Sequence, residues 1–416
     1  MSKKHNIMVM LALAMAAHST NILAQRHEIL ADNIASLQVV AGDNWLDPPV
    51  TMLHGGDPIT VSFDDLTHEY RRYAYRLEHC EADWTVSSEL FASDYCNGFN
   101  EDIIIDDVEE SVNTNTLYTH YRIRIPNENC AVKMSGNYIL TVYDENTSEE
   151  VLKACFMVAD SKVSVRLGAS SNTDIDTNKN HQQVSMDVNF GGIKVNRFED
   201  EIKTVVMQNG RWDNAVTDAK PQYVTAEGAS WSHNRNLIFD AGNEYRKFET
   251  LDVTHTTMGL ESVGWDGHDY HAYVWTDEPR RNYVYDEDAN GAFYIRNSDN
   301  VENDVTTEYV IVNFRLRTSD RNGDIYINGN WTNDRFTDKY KMVYDSASDL
   351  YTASIKLKQG YYSYQYLTLG ADGMARPVPS EGSFFQTENK YQALIYYKGA
   401  GQRTYQLVGY QQVSLK

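Results

Sequence analysis

The chain is poor in positive charge. Its 37 lysines and arginines are outnumbered by 59 aspartates and glutamates, which gives a formal net charge of −22 at pH 7. So acidic a surface repels the phosphate backbone of nucleic acids, and an anionic membrane leaflet repels it as well. We therefore expect a partner that is neither a nucleic acid nor a membrane surface.

Long apolar runs are missing except near the N-terminus. There, a basic start leads into an apolar run from Ile7 to Ala17, and Ala24 supplies a small residue before a polar segment. This layout is typical of a secretory signal peptide, and the run is well short of the roughly 20 residues that span a bilayer. The alternative is a buried N-terminal helix. We expect a cleaved signal peptide at residues 1–24 and a soluble, exported mature chain.

Cysteine is scarce, and the four cysteines fall in the first third of the mature chain: Cys80, Cys96, Cys130 and Cys155. None has the Cys-x-x-Cys spacing of a redox site or a zinc knuckle. In an exported chain they could form one or two disulfides, with three pairings open, or they could be small buried thiols. No cysteine lies near Ala24, so a lipid anchor at the cleavage point is not expected.

Catalytic motifs are also lacking. The sequence has no Gly-x-Ser-x-Gly elbow, no phosphate-binding Gly-rich loop and no His-Glu-x-x-His pair. His268 and His271 would point to opposite faces of a strand, and acid pairs such as Asp64-Asp65 are typical of solvated surface charge. We expect no enzyme activity, no cofactor and no metal. A third reading is a secreted hydrolase with accessory β domains, which would need a cleft that holds a close pair of carboxylates.

Helical periodicity is absent beyond the N-terminal run, whereas strand patterns recur. Apolar and polar residues alternate in Tyr121–Ile125, Val184–Val188 and Tyr309–Thr318, and Tyr138–Tyr143 and Tyr361–Leu369 are apolar on both faces. Gly, Asn and Asp clusters separate these runs. The pattern predicts an all-β protein built from tandem β-sandwiches of the immunoglobulin-like or early-set kind.

Two changes in composition suggest domain boundaries. A strand ends near Val158, and a polar, acidic stretch between Ile295 and Thr307 reads as a linker. The sequence therefore predicts three sandwiches, at residues 25–160, 161–303 and 304–416. The last has the strand, Gly-Asn-Trp turn and hairpin of early-set modules that include starch- and glycogen-binding domains, although fold alone assigns no sugar ligand.

Two groups of aromatic residues are candidates for binding. Arg211 beside Trp212 would make an exposed anchor of the kind that dominates protein interfaces, or else part of an ordinary sandwich hairpin. Trp331, read as an exposed aromatic, is a further candidate for the partner interface, and with Tyr361 and Tyr362 it is a candidate platform for stacking sugars. An exposed coplanar pair of rings would favour a glycan ligand, and burial of these rings would favour a purely structural role.

An ordered series of motifs resembles the type IX secretion system plug family of Bacteroidetes. No single motif is specific, but together they span nearly the whole mature chain. They are His79–Trp84, Gly98–Glu101, Ser111–Thr114, Tyr118–Arg122, Pro126–Asn129, Ser135–Tyr138, Gln208–Trp212, Gly242–Arg246, Leu357–Tyr364, Glu381–Phe384 and Thr387–Asn389. The chain departs from the family pattern where Arg197 follows Asn196 in place of proline, and where Ala241 stands in place of a second glycine.

The resemblance implies a periplasmic protein at the inner face of the outer membrane. Members of this family occupy the periplasmic mouth of the very large β-barrel translocon when no substrate is passing. We therefore expect a non-catalytic plug, monomeric when free, whose partner is that barrel. The alternative function is an exported carbohydrate-binding or surface-glycan protein that uses the C-terminal module.

Overall fold

The computed structural model describes residues 27–320, 323–370 and 374–415. The expected signal peptide, residues 1–24, lies outside these ranges. No helix within them is long and apolar enough to cross a membrane. The described chain consists of strands with a few one-turn helices, so the all-β prediction is confirmed.

The first sandwich is formed by residues 28–159. Its elements are β1 (Glu28–Ile29), β2 (Ile34–Ala41), β3 (Val50–Met52), β4 (Ile59–Asp65), β5 (Tyr73–Cys80), α1 (Ala92–Tyr95), β6 (Cys96–Gly98), β7 (Ile103–Ile104), β8 (Asp107–Glu110), β9 (Thr119–Ile125), β10 (Cys130–Val132), β11 (Gly136–Asp144) and β12 (Glu150–Ala159). One sheet has the order β1-β12-β11-β5-β7, with β3 also pairing β12. The other has the order β2-β4-β9-β8, and β6 and β10 form a separate ribbon.

The core of this sandwich follows from strand alternation. In β9, Tyr121, Ile123 and Ile125 are buried and point to one face, where they meet Val61 and Phe63 of β4. Side chains of a strand alternate between its two faces, so this spacing supplies one continuous apolar surface. The alternating pattern noted in the sequence is therefore the inner face of a sheet.

The rest of the chain forms two further sandwiches. Its elements are β13 (Ser164–Ser170), β14 (His181–Asn189), α2 (Phe198–Glu201), β15 (Ile202–Gln208), β16 (Val216–Thr217), β17 (Tyr223–Val224), β18 (Gly228–Trp231), β19 (Ile238–Asp240), β20 (Arg246–Glu249), β21 (Leu260–Trp265), β22 (Tyr270–Val274), β23 (Phe293–Ile295), α3 (Asn303–Thr306), β24 (Tyr309–Leu316), β25 (Ile325–Asn328), β26 (Val343–Asp345), β27 (Leu350–Lys358), β28 (Gly360–Leu369), β29 (Ala375–Pro377), β30 (Asn389–Tyr397) and β31 (Gln406–Leu415). Short 3₁₀ turns lie at Arg235–Leu237, Asn330–Thr332 and Pro379–Glu381.

The second sandwich combines residues 164–240 with residues 389–415. One sheet has the order β13-β14-β18-β17, with β19 on β14, and the other has the order β16-β15-β30-β31. The third sandwich, residues 246–377, packs β20, β23, β25 and β29 around β28 against a sheet of order β21-β22-β24-β27-β26. The third sandwich is thus an insertion into the second.

Strand pairing does not follow the boundary expected between residues 303 and 304. β15 and β30 pair in register from Ile202–Tyr397 to Gln208–Tyr391 across that boundary. Both strands are buried at nearly every position, so each needs a neighbouring strand and a cover on both faces. The stretch expected to be a linker carries α3 and lies within the third sandwich, where Val305 O accepts from Val112 N–H of the first sandwich at 2.8 Å.

Candidate functional site

A cleft of about 670 Å³ opens where the first sandwich meets the second. We call it the seam cleft. Its walls are the loop of residues 81–89, the strands β15 and β16, and the segment that ends at Tyr405. Trp84 and Trp212 form its apolar floor. The cleft combines aromatic side chains with charged ones.

Trp84 occupies an unusual backbone position. The turn that carries it is closed by Glu81 N–H, which donates to Thr85 O at 2.8 Å, and Trp84 N–H donates to Glu81 O at 3.0 Å. Trp84 has a φ of +68°, in the left-handed region where glycine is usual and a bulky side chain costs about 1–3 kcal/mol. The turn therefore carries a large side chain at a position where its backbone conformation favours glycine.

Packing of the Trp84 ring offsets this strain. The side chain is only 3% exposed and meets the Trp212 ring edge to face, with centroids 5.5 Å apart at 89°. It belongs to an apolar cluster that joins the first sandwich to Met207, Leu394 and Tyr396 of the second. The indole Nε1–H, however, has no hydrogen-bond partner among the described residues. A buried donor without a partner costs about 1–3 kcal/mol.

The charge along the seam cleft is mainly negative. Its lining includes five carboxylates and three cations. Of the cations, Arg403 pairs with Asp94 at 2.7 Å and Lys398 lies 5.8 Å from the centre of the Tyr405 ring. The third cation, Lys203, lies 3.4 Å from Asp218, and the exposed carboxylates that remain are Asp83 and Glu89.

Arg211 is not the exposed anchor that the sequence suggested. It is only 6% exposed, and its Nε and Nη2 bind the two carboxylate oxygens of Asp213 at 3.0 and 2.5 Å. Burial by itself would lower the pKa of Arg211, but the Asp213 carboxylate outweighs it and the pKa is raised. The expectation failed because a partner only two residues away satisfies the guanidinium. Trp212, by contrast, is half-buried and reaches the cleft.

Trp331 is likewise buried, at 7% exposure, and belongs to the core of the third sandwich. Its Nε1–H donates to Ser363 O at 3.1 Å, and its ring stacks on Phe314. Tyr362 is buried beside it, and Tyr361 is half-buried against Trp45. The coplanar exposed rings that a glycan platform requires are therefore not present at these residues.

The four cysteines are all buried, and Cys96 and Cys130 are in contact. Cys96 Sγ and Cys130 Sγ lie 3.1 Å apart on the β6–β10 ribbon. The hydrogen bond with the Cys130 thiol lowers the pKa of Cys96 to about 7, and the same contact raises the pKa of Cys130. Of the three pairings left open by the sequence, the structure favours one that contains Cys96–Cys130.

Sequence reasoning missed a buried polar cluster where the first sandwich meets the third. Asp64, expected at the surface, is fully buried and contacts His120 Nδ1 at 2.7 Å and Tyr309 Oη at 2.6 Å. Lys358 Nζ completes the cluster at 2.7 Å from Asp64 Oδ2. The one sequence signal for this cluster is the alternation of β4, which places Asp64 on the sheet face opposite the core residue Phe63.

Metal-binding and catalytic constellations were not expected. Over the described ranges, no group of three or more His, Cys, Asp or Glu side chains is arranged to hold a metal ion. His268 and His271 instead contact Asp269 and Asp266, each within the same turn.

Comparison with known proteins identifies the first sandwich. The family model of the type 9 secretion system plug protein 1st domain matches residues 34–160. A crystal structure of a hypothetical protein from Parabacteroides merdae is similar over 94% of this chain and 99% of its own, at 38% identity and a TM-score of 0.90. No functionally curated protein matches.

Two other solved structures match weakly. The C-terminal domain of the Streptococcus pyogenes antigen I/II-family protein AspA matches at 7% identity and a TM-score of 0.18, over 92% of this chain and 99% of its own. A structure named BspA_C_WT matches at 9% identity and a TM-score of 0.16, over 93% and 97%. Scores this low carry no structural argument.

Proposed function

The chain belongs to the type IX secretion system plug family, and from this we propose that it closes the periplasmic opening of the outer-membrane translocon barrel when no substrate is passing. Membership itself gives a role related to type IX secretion, a partner within that system and a place in the cell envelope. The observation that carries the proposal is the match of the plug-domain model to residues 34–160, which coincide with the first sandwich.

The packing of the three sandwiches supports a blocking role. The first sandwich is joined to the second through the apolar cluster around Trp84, and to the third through the buried ion pair of Asp64 and Lys358. A plug must keep its shape against the pore, and buried contacts on two sides of the first sandwich oppose relative movement of the three units. We propose that the three packed sandwiches block the pore as one unit and that the protein catalyses no reaction.

The negative charge supports an electrostatic component of docking. With a net charge of −22, the plug would be steered towards a basic rim on its partner, and salt would screen that attraction. Association should then weaken between low and high salt. Equal association at both salt concentrations would exclude this steering.

The proposal is tested by affinity capture. The chain, tagged at its C-terminus, is incubated with detergent-solubilised outer membranes, and captured proteins are identified by mass spectrometry. Recovery of a very large outer-membrane barrel, reduced when the barrel is occupied by cargo, is the expected result. Capture without any such barrel would contradict the proposal. An unrelated exported protein that carries the same tag is the control for binding to the tag.

A further inference from the structure

We propose that the seam cleft binds an extended, basic peptide segment of the translocon, which pairs with the free edge of β16 and accepts a hydrogen bond from Trp84 Nε1. This inference rests on the proposed function, because that function supplies the partner. It adds the docking site, the type of segment that occupies the site and the residues that bind it.

The first support is an open strand edge inside the cleft. β16 is the outermost strand of the sheet β16-β15-β30-β31, and Thr217 lines the cleft. Asp218 N–H donates to Thr204 O at 2.8 Å, so the backbone of Asp218 faces β15. Backbone groups alternate in direction along a strand, so the N–H and C=O of Thr217 point away from β15. Such an edge is a template for an added strand.

The second support is the unpartnered donor at Trp84. This side chain is nine-tenths buried or more, lines the cleft and leaves its Nε1–H without a partner in the described part of the chain. Nε1 itself is not exposed to the cleft, so a carbonyl oxygen of a bound peptide would reach it after the indole turns towards the cleft. Such an oxygen would satisfy it, because an indole N–H can only donate. The left-handed backbone at Trp84 adds conformational strain at this position.

The third support is charge complementarity. Asp83 and Glu89 are exposed at the cleft, and carboxylates outnumber cations along its lining even though Lys203 pairs with Asp218. The protein as a whole is strongly acidic. A segment that carries lysine or arginine beside a large apolar side chain would match both the rim and the floor formed by Trp84 and Trp212.

The experiment compares three variants with the wild type in the barrel-capture assay. Trp84→Phe keeps an aromatic ring and removes the donor, and Thr217→Pro removes the outward N–H while sparing the hydrogen bonds to β15. Trp275→Phe is the matched control, because Trp275 is 57% exposed and lies on the third sandwich, outside the cleft. Folding of each variant is checked by its thermal unfolding. Loss of one hydrogen bond should weaken capture roughly five- to tenfold.

The outcomes separate this inference from the proposed function. Weaker capture by Trp84→Phe and Thr217→Pro, with unchanged capture by Trp275→Phe, is expected. Equal capture by all four proteins would overturn the cleft as the docking site and leave the plug function standing. Absence of the barrel from the wild-type sample would contradict the plug function itself, and the inference would fall with it.

A second measurement tests that the occupant is a peptide. Overlapping synthetic peptides that tile the periplasm-facing loops of the barrel are titrated into the wild-type chain, and tryptophan fluorescence is recorded. At least one basic peptide should bind, with weaker affinity for Trp84→Phe and at higher salt. If none of the peptides binds while the barrel is still captured, a single extended segment is not the occupant, and the proposal is wrong.

Discussion

Lys358 Nζ lies 2.7 Å from Asp64 Oδ2, and both side chains are buried where the first sandwich meets the third. Asp64 is the last but one residue of β4 and Lys358 ends β27, so this single contact joins elements 294 positions apart in sequence. Tyr309 and His120 also contact the carboxylate. The cluster ties the plug domain to the rest of the chain.

Replacing Lys358 by methionine should be strongly destabilising. The change leaves the Asp64 carboxylate buried without its cation, and breaking a buried pair in this way costs about 3–5 kcal/mol. The double variant Asp64→Asn, Lys358→Met should recover part of that loss, because no buried charge remains. The free energy of unfolding is measured with urea. The exposed pair Arg72–Glu145 provides the control, since Arg72→Met should lower the free energy of unfolding far less. Equal losses of unfolding free energy at the two sites would contradict the larger cost expected for the buried pair.

Asp64 should also make stability depend on pH. Burial by itself would raise its pKa, but Lys358 and His120 outweigh burial, and the pKa of Asp64 lies below its ordinary value. Because the folded pKa is lowered, the stabilisation is present above the ordinary value of about 4 and is lost as pH falls through the folded pKa. Unfolding free energies of the wild type and Asp64→Asn are compared from pH ~7 downwards. The gap between them should shrink in acid, and a constant gap would show that Asp64 does not titrate differently on unfolding.

Oxidation should join Cys96 to Cys130. In thiol–disulfide exchange, the two thiols would transfer two protons and two electrons to the disulfide of another protein, which is reduced to a dithiol. Cys96, with a pKa of about 7, is the more reactive thiolate. Closing a loop between residues 34 apart should raise the unfolding free energy by about 3–4 kcal/mol.

Peptide mapping under non-reducing conditions identifies the bond. Cys130→Ala should abolish both the cross-link and the gain in stability on oxidation. A cross-link that joins Cys96 to Cys80 would contradict the pairing.

Glycine should be better tolerated than alanine at Trp84. Removing a buried tryptophan ring costs about 3–5 kcal/mol in either variant, but glycine relieves the left-handed backbone by roughly 1 kcal/mol. Urea unfolding should therefore rank Trp84→Gly above Trp84→Ala in stability.

Trp231 gives the matched control, because it is equally buried and lies in strand β18. There glycine should be worse than alanine by about 0.5–1 kcal/mol. The same order of the two variants at both sites would show that strain at Trp84 is not significant.

Local patterns predicted much of the fold, and long-range pairing did not follow from them. The alternation in Tyr121–Ile125 corresponds to β9, and the doubly apolar Tyr361–Leu369 lies within β28. The insertion of the third sandwich was missed, because the register that joins Val205 to Leu394 is set by two distant strands whose faces match only in three dimensions. Sequence spacing cannot show that match.

The candidate site was predicted only in part. Trp212 does reach the seam cleft, whereas Arg211 and Trp331 find partners at Asp213 and Ser363 and are withdrawn from the surface. Trp84 was visible in the sequence as part of a motif, but its left-handed backbone depends on the turn closed by Glu81 and Thr85. The substitution of Ala241 for a glycine is harmless to the backbone, since Ala241 is not among the positive-φ residues.

Plugging is measured most directly as the conductance of the translocon barrel reconstituted in a planar bilayer. The purified chain is added to the periplasmic side, and the same amount of the Thr217→Pro variant is added in a parallel experiment. The wild-type chain should close the open barrel, and closure should be weaker with the variant. Unchanged conductance at wild-type concentrations that saturate binding would contradict the plug function, because the chain would then bind the barrel without plugging it.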